Sequence, residues 1–102
     1  MSLNQVFFYQ DAWSELLEAV NEYNSKTKGL GRHFLKAVAR GLEQINTNPQ
    51  AFPLQQETQT RMYSLHRLPY IIYFLDLNQE IWVVGIEKTS ESILSKRYED
   101  VT

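Results

Sequence analysis

Cysteine is absent from this chain of 102 residues, so neither a disulfide nor a thiolate metal site can be built, and a reducing cytoplasm is the expected compartment. Long apolar runs are missing too. No stretch approaches the roughly 18 residues that mark a membrane-spanning helix, and no secretory leader pattern opens the sequence. Positive charge is not in excess: a net charge of −2 argues against bulk electrostatic capture of DNA or RNA. His33 and His66 are the two histidines, and neither has a carboxylate or a second histidine at ligand spacing. No metal or other cofactor is therefore expected. What is present is 43% hydrophobic residues and 13% aromatics, enough for one real core in a single domain covering residues 1–102.

The segment Gln5 to Tyr9, "QVFFY", reads as a buried first strand. Asp11 then stands where a helix N-cap belongs. Trp13, Leu16, Leu17, Val20 and Tyr23 follow at helical spacing and predict one buried face over Asp11 to Asn24. Glu15, Glu18 and Glu22 fall on the opposite, solvated face. A second helix is predicted over Leu30 to Thr47, with Leu30, Phe34, Val38, Leu42 and Ile45 inward and Arg32, Lys36 and Arg40 outward. Asn48-Pro49 ends it. The short polar link between the two makes an antiparallel helical hairpin.

Strands are predicted over Arg61 to Leu68, Tyr70 to Asp76 and Ile81 to Glu87. The second of these is apolar on both faces and so central. The "DLNQE" turn favours a left-handed Asn78. The expected class is α+β: a helical hairpin on a mainly antiparallel four-stranded sheet in the order β-α-α-β-β-β. The place of the first strand in that sheet is open at this point. "ESILSKRY" further on is read as a short closing helix anchored by Ile93 and Leu94, or as a flap over the sheet.

Familiar catalytic patterns fail. "GLGRHF" at Gly29 to Phe34 lacks a third glycine and follows a helix, so it is not a dinucleotide loop. Ser14, Ser64 and Ser90 have no visible base, which excludes a hydrolase triad. The stripe Arg32, Lys36, Arg40 is read as a solvated helix face. Because the helices cover only one side of the sheet, Tyr63, Tyr73, Trp82 and Val84 are candidates for an exposed apolar face that binds a partner.

The phrases "AWSELLEAVNEY", "LGRHFLKAVARGLEQINTNPQAFP", "RMYSLHRLPYIIYFL" and "IWVVGIEK", spread from Val6 to Lys88, together resemble the RelE/ParE superfamily of bacterial toxins from type II toxin–antitoxin modules. The long hairpin and "RLPYIIYFL" are more similar to the ParE-like, plasmid-stabilisation branch. The resemblance implies a cognate antitoxin as partner and, for the ParE-like branch, inhibition of DNA gyrase by binding. For RelE-like members it implies metal-independent cleavage of messenger RNA on the ribosome. Self-association is the alternative cover for the exposed face when the protein is free.

Ribonuclease chemistry would need basic groups converging on the sheet to activate a 2′-hydroxyl and stabilise a phosphorane. The central-strand position that carries an arginine in RelE-like toxins holds Ile71 or Ile72 here. After the last strand, "EKTSES" stands where such toxins carry a basic run. Arg61, His66, Arg67, Lys88 and Arg97 are the remaining catalytic candidates, with Lys96 and Tyr98 nearby. The expected function is accordingly that of a ParE-like toxin rather than an enzyme, the alternatives being a RelE-like ribonuclease or a degenerate member that only binds its antitoxin.

Overall fold

A computed structural model describes residues 5–89. Strand β1 (Gln5–Phe8) leads into helices α1 (Gln10–Lys26) and α2 (Leu30–Thr47). A 3-10 turn at Pro49–Ala51 follows, then β2 (Leu54–Gln55), β3 (Thr60–Ser64), β4 (Tyr70–Leu77) and β5 (Glu80–Lys88). The five strands form one sheet in the order β1-β5-β4-β3-β2. Every pairing is antiparallel except that of β1, which runs parallel to β5 at the sheet edge with Val6 opposite Ile81 and Phe8 opposite Val83. The sheet thus has one strand more than expected, because the two-residue β2 is too short to carry a period-2 pattern. The first strand takes the edge beside β5.

Helix α2 buries Phe34, Val38 and Ile45, as its spacing predicts, with Leu30 and Leu42 half-buried beside them. In α1 the expected face is turned by less than one position: Leu16 stays buried and Val20 and Tyr23 pack against the core, but Ala12 and Ala19 replace Trp13 and Leu17. Ala12, Leu16 and Ala19 meet the sheet, while Trp13 and Leu17 are 50% and 47% exposed. Alanines at 12 and 19 let the helix axis approach the strands closely, and close approach buries more surface than a wider ridge would. Trp13 is not bare, since its ring lies edge-on to Phe8 at 5.5 Å. Asp11 is not the N-cap either. Tyr9 occupies that position without a side-chain cap, and Asp11 sits in the first turn, where its charge favours the positive end of the helix dipole.

The hairpin closes tightly. Gly29 takes a left-handed φ of 87°, and the Gly31 N–H donates to Asn24 Oδ1 at 2.8 Å. At the middle of α2 the Tyr63 ring lies directly over Gly41, where a Cβ would come within 2.7 Å of it.

Phe34, Ile45, Ile72, Phe74, Ile81 and Val83 form the fully buried centre between helices and sheet. Each such side chain contributes about 1.5–3 kcal/mol by leaving water, so this layer, and not surface charge pairs, holds the domain together. Tyr23, Phe34 and Tyr70 extend the core toward the hairpin with ring centroids 5.0–6.0 Å apart. Burial pushes the Tyr23 and Tyr70 phenols above their ordinary value, so both stay neutral.

The β4–β5 turn places Asn78 and Gln79 at φ 35° and 72°, the left-handed pair that a two-residue hairpin needs. Strand β3 stops at Ser64, short of the predicted Leu68. Residues 65–69 instead form a turn with Arg67 at φ 68°, because Pro69 lacks the N–H that would carry the ladder on.

Candidate functional site

The face of the sheet turned away from the helices is set by register and alternation. Tyr73 lies opposite Met62 on β3 and Gly85 on β5, Leu75 opposite Trp82, and Phe7 of β1 beside Trp82. Between Tyr73 and Phe74 the β4–β5 register slips by one, leaving Val84 as the extra residue of a bulge. That bulge keeps Val83 facing the core while Tyr73 and Gly85 stay on the outer face. Trp82 is half-buried and forms the centre of an aromatic group. Phe7 stacks on it at 4.9 Å, and Tyr9 meets it edge-on at 5.3 Å. The Trp82 Nε1–H donates to Glu80 Oε1 at 2.9 Å, which helps fix the orientation of the indole.

Toward the other side, Glu15, Thr58, Thr60, Tyr73, Val84 and Glu87 contribute to a shallow cavity of about 280 Å3. Tyr73, Trp82 and Val84 therefore lie on or beside the outer face, as strand alternation predicts. Tyr63 does not. It is only 9% exposed, packs on Phe52 and Gly41, and its hydroxyl donates to Gln44 Oε1 at 3.4 Å on the helix side. Its odd position on a short strand points it inward, so it belongs to the core. Phe7, Tyr9 and Leu75 take its place on the outer face; in the sequence they read only as parts of apolar strands.

The basic candidates fall in three places, with Arg61 and Lys88 apart and His66 and Arg67 together. Arg61 faces Phe74 across the ladder, and its guanidinium donates to the Phe52 carbonyl at 2.8 Å, tying β3 to the segment after α2. Lys88 is held by Glu22 of α1, Nζ to Oε1 3.1 Å. The hydrogen bond from Lys88, then its charge, holds the Glu22 carboxyl below the usual carboxylate range, and the same hydrogen bond raises Lys88. His66 and Arg67 project from the β3–β4 turn beside α2. Arg97, Lys96 and Tyr98, like the expected role of Ile93 and Leu94, lie outside the described residues. Of the two central-strand isoleucines, Ile72 belongs to the core between helices and sheet, while Ile71, opposite Ser64 and Glu87, takes the other face of β4 and is also buried, so an aliphatic group holds that place.

Glu15 is the residue the sequence hid. Its helical position reads as solvated, yet its carboxylate accepts the Ile86 N–H at 2.8 Å. There β5 has run past the end of β1 and would otherwise present a bare edge.

The family model for the ParE toxin of type II toxin–antitoxin systems, parDE, matches residues 6–93. The chain belongs to the ParE toxin family. Among solved structures, a chain from a chromosomal ParDE toxin–antitoxin system of P. aeruginosa superposes with a TM-score of 0.74. The match covers 85% of this chain and 97% of that one at 12% identity, a likeness of fold. No curated protein matches the sequence. The family match begins in β1 and runs through every element described above, so the hairpin, the five-stranded sheet and the outer face all belong to the ParE-type domain. Among the described residues, no helix is long and apolar enough to cross a membrane.

Proposed function

We propose that this ParE-type toxin acts in the cytoplasm by binding a protein target, DNA gyrase being the first to test, and that a cognate antitoxin neutralises it by covering the outer face of the sheet. The family match over residues 6–93 carries the reading. The solved relative comes from a ParDE system, in which a toxin of this fold is paired with an antitoxin. The outer face suits such a partner. It offers Trp82 with Phe7 and Tyr9 stacked around it, then Leu75, Tyr73 and Val84, and aromatic anchors of this kind dominate protein interfaces.

The engagement of Arg61 and Lys88 away from the outer face favours binding over strand cleavage. Arg61 is spent on a backbone carbonyl and Lys88 on Glu22, leaving no basic cluster around Ile71 among the described residues. Inducible expression is expected to slow growth, and co-expression of an adjacent small antitoxin gene to restore it. The purified protein is expected to inhibit supercoiling by gyrase. Codon-positioned cleavage of translated message, abolished by Arg61→Ala or His66→Ala, would overturn the binding mechanism.

A further inference from the structure

A concentration of basic side chains unexplained by the fold lies away from the outer face. Between α2 and the β3–β4 turn is a cavity of about 460 Å3 lined by Ala37, Arg40, Gln44, Tyr63, His66 and Arg67. Ala37, Arg40 and Gln44 recur at one-turn spacing along a single side of α2, a span of about 10 Å. His66 and Arg67 come from the turn facing them. We propose that this cavity binds the phosphate group of a small molecule of nucleotide size, with the guanidinium groups of Arg40 and Arg67 and the imidazole of His66 as its anion cradle.

Three observations support it. First, among the described residues these basic groups are not engaged: the ion pairs there are Glu22 with Lys26 and with Lys88, and no described acid pairs with Arg40, His66 or Arg67. Two guanidiniums sharing one concavity repel each other, and an anion between them removes that repulsion. Guanidinium forks match phosphate oxygens in pairs, which favours a phosphate over a single carboxylate.

Second, the turn is held rigid. The Leu65 N–H donates to the Tyr70 carbonyl at 2.9 Å, the Tyr70 N–H to the Leu68 carbonyl at 2.8 Å, and the Thr89 N–H to the Pro69 carbonyl at 2.8 Å. His66 and Arg67 are thus positioned before any ligand arrives, which lowers the ordering cost of binding. Arg67 holds a left-handed φ of 68° within that turn, a strained backbone for any side chain other than glycine.

Third, the cavity exceeds a bare anion. Its volume falls in the range of small-molecule sites, roughly 300–1,000 Å3. The remaining wall adds the Tyr63 hydroxyl and Gln44 amide for hydrogen bonding and the Ala37 methyl as an apolar surface.

The two histidines supply the test, because His33 lies in a separate groove with Lys28 and Arg32 at the hairpin turn. The full chain is titrated with inorganic phosphate, adenosine monophosphate, and sodium chloride at matched ionic strength, following the two imidazoles by side-chain NMR. The His66 signals are expected to move and saturate with both phosphates while His33 and the chloride series stay still. Tighter binding of the nucleotide identifies an organic phosphate as the source, and equal binding identifies free phosphate. Arg40→Ala and Arg67→Gly are each expected to weaken binding about tenfold or more, the worth of one charge-assisted hydrogen bond. Glycine is at ease at φ 68°, so Arg67→Gly is expected to keep or raise Tm, which separates lost binding from lost folding. Equal, unsaturated shifts at His33 and His66, or unchanged affinity in both variants, would overturn the proposal. So would a short oligonucleotide that binds far more tightly than the mononucleotide with a steep salt dependence, which would make the cavity part of a nucleic-acid surface.

Discussion

At position 41 a single methyl group decides the packing of α2. Alanine in place of Gly41 brings about 1 kcal/mol of helix propensity, but its Cβ would stand 2.7 Å from the Tyr63 ring, which Phe52 backs at 5.3 Å and which therefore cannot swing clear. Overpacking of this sort costs about 1–3 kcal/mol. Gly41→Ala is expected to lower stability in the wild-type background and to raise it once Tyr63→Ala has removed the ring. Urea unfolding of the four proteins measures that change of sign. The sequence could not show this contact, because Gly41 reads as an ordinary weak spot in a helix until β3 is placed against it. Nor could it show that Trp13 and Leu17 face solvent. Five large apolar residues on α1 outline a face wider than the sheet can cover, and the small side chains of Ala12 and Ala19, silent in a hydrophobicity pattern, choose the ridge that goes in. In α2 the large residues form one narrow stripe, and there the pattern was sufficient.

Among the elements, α1 and β5 are joined by two carboxylates. Glu15→Ala is expected to leave the Ile86 N–H without its partner, costing about 1–3 kcal/mol and speeding hydrogen exchange at that amide. Glu15→Gln keeps an acceptor and should restore most of the protection. The Glu22–Lys88 pair makes a prediction in pH. The carboxyl is depressed, so its contribution is present above the ordinary value of about 4.3 and is lost as pH falls through the lower folded value. The ammonium is raised, so its contribution is present below about 10.4 and is lost only as pH rises through the higher folded value. The Tm difference between wild type and Glu22→Gln should therefore be flat from about pH 5 to pH 10 and vanish in stronger acid. Both groups are exposed, so the difference should be small and shrink in about 1 M salt. Strands β4 and β5 and their turn were legible because apolar runs and Asn78 speak directly. The end of β3 was not, since "LHRLP" alternates well enough to pass for strand until the hydrogen bond from Leu65 to Tyr70 bends it into a turn.

For the whole molecule, the outer sheet face is the surface to challenge. Tyr73→Glu is expected to abolish antitoxin binding while leaving the Tm near that of wild type, because the substitution places charge on the outer face and not in the core. Binding should also shift Trp82 fluorescence. That reading needs a Trp13→Phe background, since Trp13 is half-exposed and would otherwise dominate the signal. If Tyr73→Glu binds normally, the partner surface lies elsewhere, and the basic side of α2 is the next place to look. The fold class, the hairpin and four of the five strands followed from periodicity, all but the two-residue β2, and the family from local phrases spread along the chain. The site followed only in part. Tyr73, Trp82 and Val84 could be placed by strand alternation, but Tyr63 required the register of β3, and the aromatic group around Trp82 required the parallel docking of β1, which no local pattern encodes.

That docking has a consequence for how the protein comes into being. Gln5 pairs with Glu80, and the Glu15 carboxylate reaches Ile86, 71 positions later in the chain. Contacts across such separations form late, after the loop-closure entropy of the intervening chain has been overcome. During synthesis the first strand and first helix emerge long before β5 exists to receive them, and until then β1 has no sheet to join. A nascent chain halted after Leu77 is expected to be cleaved rapidly by protease, whereas one that includes β5 should resist. In this architecture the ParE-type fold is completed by one of the last strands to be made, so a ribosome that stalls midway releases a fragment and not a folded domain.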